Sequence, residues 1–543
     1  MSELLIPDLV IELVFTEPRS EADLRQEVET RLTGTYRIEA VFDPTGDYHF
    51  FLTLVGTPTR DSLADQIFER ARQIRRELRA AEANPLMIDS LYGAAAVASD
   101  GALANLCETP EDPGRPHGWV HAVIETQQGW QSNRGQGARV AIIDTGVSSH
   151  QELQGILAAD GHLNLVEGGT DPGDRFTAGG MVNPGHGTVV ASVVASRGGL
   201  DGGMGTTGPG KITGVAPDAE ILAIRAFVSV VNIWQKTIPG AIVHAINQGA
   251  DVIVMCMGGP TPVSATQRAL KMARDRGILT ICAAGNCWPL VVFPASYAEY
   301  GLATAVAALQ PDLMPWRHSA RGKAVVVSAP GEQVWAATMP RADGPPDAVK
   351  VSQGTTLATS LVAGAAALWS GAIGGADKVR QAAAARGTTG QELFNQVLRQ
   401  TAFRPPAWGG RSDLGAGVLR ISRMFRQTTG LAPGGEALFA VEPPVTAAPL
   451  AAWDAVPAVQ VAADTLASAD ARTLAELDSQ MEEFAPELLW RAFRAGSRAK
   501  AKSIASSLGL DSQGDLFKPE APPSAALSER LETRPFLRDM LGM

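Results

Sequence analysis

The chain has 543 residues, a formal net charge of -11 and a hydrophobic content of 45%. At roughly 150 residues per domain this length predicts three or four domains, and the hydrophobic content is sufficient for a large core. The acidic balance argues against nucleic acid or an anionic membrane as a partner, because both favour proteins with basic patches.

The first residues, Met1 to Asp8, lack a basic segment and a small-residue cleavage site, so we expect no signal peptide. We also assign no transmembrane helix, which takes about 20 predominantly apolar residues. The cysteines are too few and too irregularly spaced to predict a disulfide framework or a zinc site. A cytoplasmic protein is therefore expected. The cysteines are Cys107, Cys256, Cys282 and Cys287.

Residues 1–92 predict a separate small domain. Their order of strand, helix, strand, strand and helix is that of a ferredoxin-like α+β sandwich. The arginines of the second predicted helix are interpreted as a solvated face. The predicted strands cover residues 9–15, 36–42 and 48–55, and the predicted helices follow Ser20 and span residues 61–81.

A stretch rich in alanine, glycine and proline, residues 93–116, is predicted to be a linker. From residue 117 to about residue 425, short apolar strands alternate with helices. This pattern predicts a three-layer α/β domain with a mainly parallel sheet covered on both faces.

Within this domain the buried strand at residues 140–143 ends at Asp144. Catalytic groups in such sheets gather at the carboxyl ends of strands, so this carboxylate is a candidate site residue. On its own it could equally cap a helix, bind a metal or stabilise a turn.

His186 lies between two glycines at the start of an apolar run. A lone histidine is more often structural, but one at a helix start between glycines is placed to reach a partner. Two further predicted strands end before Gly258 and before Asn286.

The stretch Gly354 to Gly364 places the hydroxyl of Thr356 at the start of a buried helix. A helix N-terminus offers free N–H groups and the positive end of the dipole, which suit an oxyanion beside a nucleophile. Taken alone, the stretch is equally consistent with a capped core helix that carries no chemistry.

Together, Asp144, His186, Asn286 and Thr356 supply an orienting carboxylate, a general base, an amide donor and a nucleophile in that order. With the motifs around them, residues 117 to about 425 resemble a subtilisin-like (subtilase, peptidase S8) domain. The motifs are Ile-Ile-Asp-Thr-Gly, Gly-His-Gly-Thr, Gly-Val-Ala-Pro-Asp-Ala, Ala-Ala-Gly-Asn, Ser-Ala-Pro-Gly and Gly-Thr-Thr-Leu-Ala-Thr.

The resemblance implies an endopeptidase in which Asp144 orients His186 and His186 takes the nucleophile's proton. Asn286 and the backbone N–H of residue 356 would form the oxyanion hole. An extended protein or peptide substrate would bind by strand pairing along Met257, Gly258, Ala283, Ala284 and Gly285.

The chain departs from the family at the nucleophile, because Thr356 stands where the family has serine. A β-branched side chain restricts χ1 and crowds the imidazole, so we expect attenuated activity. Three interpretations remain open: a slow peptidase, an inactive pseudoprotease that binds peptides or serves as a scaffold, and an introduced substitution.

The resemblance gives the N-terminal domain the role of a propeptide, which assists folding and blocks the cleft until it is cut. We therefore expect residues 1 to about 90 to dock on the following domain as an intramolecular partner. Residues 84–97 would run towards the active site, with processing between Tyr92 and Trp119; an inert fused domain is the alternative. No cofactor is expected, and calcium, which subtilases often bind, is not assigned because no ligand spacing supports it.

Beyond the resemblance, residues 426–470 are rich in alanine, proline and valine and predict a linker. Spaced apolar residues predict a small helical appendage at residues 471–515, for which a protein partner is the expected use. Residues 516–543 are predicted to form a proline-rich tail.

Overall fold

The fold is described from a computed structural model of the chain. It comprises an N-terminal domain (residues 8–86), a central domain (residues 115–428) and a C-terminal segment (residues 471–541). The described residues are 8–58, 64–86, 115–175, 183–198, 212–230, 235–259, 261–286, 290–338, 348–428, 471–492 and 522–541.

The N-terminal domain is a four-stranded antiparallel sheet with strand order β2-β3-β1-β4 and two helices. Alternation along β1 sends Leu9, Ile11 and Leu13 into a core shared with the helices, as expected for a strand with two different faces. The elements are β1 (Asp8–Arg19), α1 (Glu21–Arg31), β2 (Tyr36–Ala40), β3 (Asp47–Pro58), α2 (Ala64–Leu78) and β4 (Glu82–Leu86).

Two features of this domain differ from the sequence interpretation. Strand β4 was not predicted, because its sequence Glu-Ala-Asn-Pro-Leu has low strand propensity; it forms by pairing with β1. Arg72 on α2 was assigned to a solvated face but is only 4% exposed, because the C-terminal segment covers it.

The central domain is built on a seven-stranded sheet in the order β11-β10-β9-β8-β5-β7-β6. Every neighbouring pair is parallel, which confirms the predicted α/β core with a parallel sheet. Its strands are β5 (Arg139–Asp144), β6 (Leu163–Asn164), β7 (Glu220–Arg225), β8 (Val252–Met255), β9 (Leu279–Ala283), β10 (Thr304–Leu309) and β11 (Val325–Pro330), and β12 (Val334–Ala337) pairs separately with β13 (Val349–Ser352).

Two apolar helices that carry site residues, α5 (His186–Ala195) and α8 (Thr355–Ile373), pack against each other and against the sheet. Two further helices, α6 (Ile238–Asn247) and α7 (Ser264–Asp275), also pack on the sheet and contact each other. The helices of the central domain are α3 (Trp119–Ile124), α4 (Thr126–Trp130), α5 (His186–Ala195), α6 (Ile238–Asn247), α7 (Ser264–Asp275), α8 (Thr355–Ile373), α9 (Ala376–Ala384), α10 (Gly390–Thr401) and α11 (Ile421–Thr428).

Helix α8 has the length and the mean hydropathy, 1.5, of a membrane-spanning helix. The 19 residues carry no charge, so composition alone does not exclude a membrane helix, and our expectation gave this run too little weight. Since 89% of the most apolar window is buried inside the protein, α8 is the central core helix of this domain.

The outer face of the N-terminal sheet packs on the start of α7. Val10, Phe51 and Leu86 form an apolar cluster with Val263 and Ala265 of the central domain. Beside this cluster, the side chain of Glu12 is fully buried. Its two carboxyl oxygens accept hydrogen bonds from the backbone N–H groups of Ser264 (3.0 Å) and Ala265 (2.7 Å).

Further polar contacts surround Glu12 at this interface. Asn84 donates to both Glu12 (3.3 Å) and Glu82 (2.9 Å), and the Ser264 hydroxyl donates to Glu82 at 2.9 Å. At the margin of the interface Arg268 binds Asp47 at 3.0 Å. A buried acid bound to a helix N-terminus thus lies at the centre of the contact, where the dipole favours an acceptor.

We expect the contribution of Glu12 to docking of the N-terminal domain to weaken as pH rises. Burial, reinforced by the nearby Glu82 carboxylate, raises the pKa of Glu12 from 4.5 to about 7. Below pH 4.5 Glu12 is protonated whether the domain is docked or free. Between pH 4.5 and 7 Glu12 ionises only in the free domain, so its contribution to the docking constant falls by about two orders of magnitude by pH 8. His49 at the same interface acts in the opposite direction: burial and the nearby Arg268 lower its pKa from 6.5 to about 4, so its contribution favours docking more as pH rises between these values.

Hydrogen exchange at the amides of Ser264 and Ala265, corrected for intrinsic rates at pH 5 and pH 8, measures this effect. Glu12→Gln should increase their protection relative to the wild type, and more strongly at pH 8 than at pH 5. Glu39→Gln, which removes a half-exposed ion pair to Lys236 at the same interface, is the matched control and should keep the pH dependence. An equal effect of Glu12→Gln at both pH values would contradict the assignment.

The C-terminal segment contains short helices rather than an extended end. Residues 525–540 lie in the predicted proline-rich tail, yet Leu527, Leu531 and Leu537 are buried against Met481 and Leu488. The prediction gave weight to the prolines and missed this spacing of leucines. The described elements are α12 (Ala471–Ala475), a 3-10 helix (Ser479–Phe484), a helical stretch at residues 485–492, α13 (Ala525–Leu531) and α14 (Pro535–Met540).

Candidate active site

The candidate site lies at the carboxyl edge of the parallel sheet. Strand β5 ends at Asp144 and pairs with β8, and β8 in turn pairs with β9. The segments that follow β8 and β9 therefore emerge beside Asp144, and they carry Met257 and Asn286. This is the edge at which open α/β sheets bind ligands.

Three side chains from separate elements form one hydrogen-bonded row. His186 Nδ1 lies 2.8 Å from Asp144 Oδ1, and His186 Nε2 lies 3.1 Å from Thr356 Oγ1. Asp144 is 1% exposed and Thr356 is 6% exposed, whereas 17% of the His186 side chain is exposed. A shielded carboxylate, an imidazole at the cleft and a hydroxyl within its reach satisfy the geometric requirement for nucleophilic catalysis.

The carboxylate of Asp144 is held in place by the backbone of the turn that follows it. Its Oδ1 atom also accepts a hydrogen bond from the backbone N–H of Thr145 at 2.7 Å. Among the described residues, no group donates to its buried Oδ2 atom. The negative charge is therefore directed at the imidazole, which favours the tautomer with its proton on Nδ1.

Glycine is required where the turn after Asp144 meets the helix of His186. A Cβ atom added to Gly187 would lie 2.2 Å from the carbonyl oxygen of Gly146. The Gly187 N–H also donates to the Thr145 hydroxyl at 3.2 Å. Close approach of the two backbones thus sets the distance between Asp144 and His186.

A buried arginine supports the same two segments. Arg225, at the end of β7, donates to the carbonyl oxygen of Thr145 and lies 3.4 Å from Asp174. Asp174 accepts a 2.8 Å hydrogen bond from the N–H of Gly185, which precedes His186. Arg225 also pairs with Glu167 at 2.7 Å, which lowers the pKa of that carboxyl to about 2.

The acidic residues of this region are thus paired with a guanidinium rather than arranged as ligands. In the part of the chain that the structure describes, no group of three or more histidine, cysteine or acidic side chains could hold a metal ion. Glu167 and Asp174 do not fit a calcium site, because Arg225 already supplies the positive charge between them.

The start of α8 links Thr356 to Asn286. Gly354 precedes the helix with φ of 136°, a conformation that favours glycine, and an added Cβ would lie 3.0 Å from Asn286 Nδ2. Thr355 donates to Asn286 Oδ1 from both its backbone N–H (2.9 Å) and its hydroxyl (2.7 Å). With Oδ1 bound in this way, the amide is oriented so that its N–H₂ group remains available as a donor.

These residues border a cleft of about 260 Å³. Four of the five predicted substrate-binding residues line it: Met257, Gly258, Ala283 and Gly285. Ala284 does not; its side chain is fully buried, its N–H donates to Val306 and its carbonyl accepts from Val292. Period-two alternation along the strand accounts for this, because neighbouring residues face opposite sides.

Sequence reasoning missed several residues of the cleft. Thr355 could have been found, since it directly precedes Thr356 after a glycine. Asn183 accepts from the N–H of Val230 at 3.0 Å, and Val230 accepts from Gly258 at 2.9 Å, so a loop pairs with the segment after β8. No local signal marks these long-range contacts.

The cysteines near the site behave as small core residues. Cys256 is buried, and burial raises its pKa well above the ordinary value, which disfavours a thiolate nucleophile. Its Sγ contacts the carbonyl oxygen of Thr356 at 3.8 Å. Cys287, which we also expected to be structural, lies outside the described residues.

Comparisons with known proteins agree on the family. The model of the subtilase family, peptidase S8, matches residues 135–421. Thermitase from Thermoactinomyces vulgaris is 32% identical over 278 residues, which are 50% of this chain and 90% of that protein. The major intracellular serine protease of Bacillus subtilis is 29% identical over 51% of this chain and 81% of its own.

A solved structure of a protease from Pseudoalteromonas arctica is also similar, with a TM-score of 0.45 and 24% identity over 59% of this chain and 99% of that chain. The family model spans more than half of the 543 residues and includes Asp144, His186, Asn286 and Thr356. The chain therefore belongs to the subtilase family of peptidases.

Proposed function

We propose that the chain is a subtilisin-like endopeptidase in which Thr356 is the nucleophile and limits the rate. The observation that carries the proposal is the pair of contacts from His186, 2.8 Å to Asp144 and 3.1 Å to Thr356. The substrates are proteins or peptides, consistent with the peptidases to which the chain is similar.

In the first step His186 Nε2 accepts the proton of Thr356 Oγ1 while that oxygen attacks the scissile carbonyl carbon. The carbonyl oxygen becomes an oxyanion, to which the Asn286 amide and the backbone N–H of residue 356 donate. Asp144 stabilises the imidazolium that forms. His186 then transfers the proton to the amine as the C–N bond breaks, and a water molecule hydrolyses the resulting threonine ester by the same route.

The threonine methyl is the reason for slow turnover. Threonine is restricted to two χ1 rotamers in a helix, and its methyl group crowds the space beside the imidazole, so Oγ1 has little freedom to follow the carbonyl carbon. General-base assistance contributes about 10²- to 10⁴-fold to such reactions, and poor alignment removes part of it. An internal threonine also lacks the N-terminal amine that activates other threonine nucleophiles.

The N-terminal domain is proposed to be a ferredoxin-like propeptide-type domain. Its support is the antiparallel sheet with two helices and the docking of that sheet on α7 through Glu12. Residues 87–114, which contain most of the segment expected to approach the active site, lie outside the described residues. We further propose a cytoplasmic location, supported by the match to an intracellular serine protease.

Covalent labelling by a fluorophosphonate probe tests the proposal. The chain is first cut at protease sites introduced within residues 98–108 and 440–460, and the central domain is separated from the other fragments at pH 8, so that the N-terminal domain does not block the cleft. Slow labelling of the wild type is expected, and Thr356→Ala and His186→Ala should each abolish it. Ser370→Ala, a buried hydroxyl deletion near the other end of α8, is the matched control and should label normally.

Two other outcomes would overturn the proposal. Labelling that appears only in Thr356→Ser would indicate an inactive, peptide-binding member of the family. Labelling that appears in neither protein would exclude a functional triad in this cleft.

A further inference from the structure

The C-terminal segment completes the core of the N-terminal domain. Trp490 is fully buried within the apolar core of that domain, with its ring centroid 5.8 Å from that of Phe68 on α2. A tryptophan side chain buries a large apolar area, so separation of the two units would expose Trp490 and Phe68 together. This contact joins residues more than 400 positions apart in the sequence.

A buried ion pair lies beside this apolar contact. Arg72 Nη1 is 3.1 Å from Glu487 Oε2; Arg72 is 4% exposed and Glu487 is not exposed. The Arg72 guanidinium also lies 5.0 Å from the ring centroid of Phe484. A buried charge pair of this kind requires both partners, since removal of one leaves the other uncompensated.

Glu487 also organises the C-terminal segment itself. It accepts hydrogen bonds from Arg491 (3.1 Å) and from both the N–H (3.0 Å) and the hydroxyl (2.7 Å) of Ser524. It therefore joins the helical stretch at residues 485–492 to the start of α13. One carboxylate thus couples the fold of the segment to its contact with Arg72.

The segments that join the domains determine what a cut in the chain would separate. The N-terminal domain is joined covalently to the central domain only through residues 87–114, whereas the C-terminal segment is joined through residues 429–470. A cut in residues 87–114 therefore leaves the C-terminal segment attached to the central domain. The packing at Trp490 and Glu487 would then still hold the N-terminal domain.

We propose that the C-terminal segment is a clasp for the N-terminal domain, which retains that domain on the peptidase after the chain between them is cut. The proposal rests on the proposed function of residues 8–86 as a propeptide-type domain. After the cut, the N-terminal domain would remain bound through the clasp even when it moves away from the cleft. The surface of the C-terminal helices for which we expected a protein partner is, around Trp490, occupied by the chain's own N-terminal domain.

The experiment uses the full chain with an affinity tag at its N-terminus and a protease site introduced within residues 98–108. After the cut, the rate at which the central domain leaves the immobilised N-terminal fragment is measured at pH 8. The wild-type fragment should retain the central domain for hours. Glu487→Gln and Trp490→Phe should each release it about 10- to 100-fold faster, because defects in a buried, paired contact act mainly on dissociation.

Glu529→Gln is the matched control, since it makes the same change on an exposed residue of α13 and should dissociate like the wild type. A second protease site within residues 440–460 gives an independent readout that needs no core substitution. After both cuts, the N-terminal fragment and the C-terminal segment should elute together, separate from the central domain. Co-elution of the C-terminal segment with the central domain alone, or equal release by wild type and variants, would overturn the proposal.

Neither readout requires catalysis, so failure of the clasp is distinct from failure of the peptidase. If the fragment is retained through Glu487 while the probe labels the uncut chain as fast as the cut chain, the clasp is supported and the blocking role of the N-terminal domain is wrong.

Discussion

Thr356→Ser is expected to increase both fluorophosphonate labelling and peptide hydrolysis by about 10²-fold or more, within the range that general-base catalysis contributes. The change removes only the methyl group on Cβ and keeps the oxygen that lies 3.1 Å from His186. Serine can adopt more than one χ1 rotamer at a helix start, so its Oγ can follow the carbonyl carbon through the reaction. The gain should appear mainly in kcat, because the methyl affects the transition state more than substrate binding.

The matched control is Thr359→Ser, one turn further along α8. Thr359 is fully buried, and its hydroxyl donates to the carbonyl oxygen of Thr355 at 2.7 Å. This control removes the same methyl group from the same helix without changing a group at the cleft, so the rate should stay near that of the wild type. Equal rates for Thr356→Ser and the wild type would show that the methyl group does not limit turnover.

The residues of the site could be predicted because each is marked by its local sequence. Asp144 and Asn286 follow buried apolar strands, and His186 and Thr356 follow glycines at the starts of apolar helices. In a parallel sheet these positions converge at one edge, so pattern and topology together are sufficient. The resemblance to the family was less accurate locally: it placed Ala284 in the substrate-binding segment, although alternation places this residue in the core.

The contacts between domains could not be predicted, because they join residues that carry no matching local signal. Glu12 is a single acid in an apolar strand, and its partners are backbone N–H groups of α7, which no side-chain pattern reveals. Arg72 has the spacing of a solvated helical face and becomes buried only because Glu487 reaches it. In each case tertiary packing outweighs the local preference of the residue.

The two interfaces of the N-terminal domain differ in the chemistry that holds them. The contact with α7 contains two buried titratable groups whose effects oppose each other, Glu12 with a pKa of about 7 and His49 with a pKa of about 4. The contact with the C-terminal segment combines a buried tryptophan with the Arg72–Glu487 pair. Separation of the sheet from α7 is therefore expected to leave the clasp closed, so that opening of the cleft would be reversible.

The second large effect is expected for Asp144→Asn in the Thr356→Ser protein, where kcat should fall by about 10⁴-fold, the size of loss that this change causes in serine peptidase triads. Asp144 Oδ1 accepts hydrogen bonds from both His186 and the Thr145 N–H. Asparagine can offer its oxygen at this position, which keeps the tautomer of His186 but removes the charge that stabilises the imidazolium.

Asparagine can instead offer its N–H₂ group, which opposes the N–H of Thr145 and forces the proton of His186 onto Nε2, where it cannot act as a base towards Thr356. Both orientations leave an amide atom in place of the buried Oδ2, a position that has no hydrogen-bond partner among the described residues. Stopped-flow or steady-state kinetics with a peptide substrate measures the loss. Asp218→Asn, a half-exposed acid paired with Arg134 at the opposite edge of the sheet, is the control and should keep full activity. A loss below tenfold for Asp144→Asn would mean that His186 does not depend on this carboxylate, and the order of roles along the row would have to be revised.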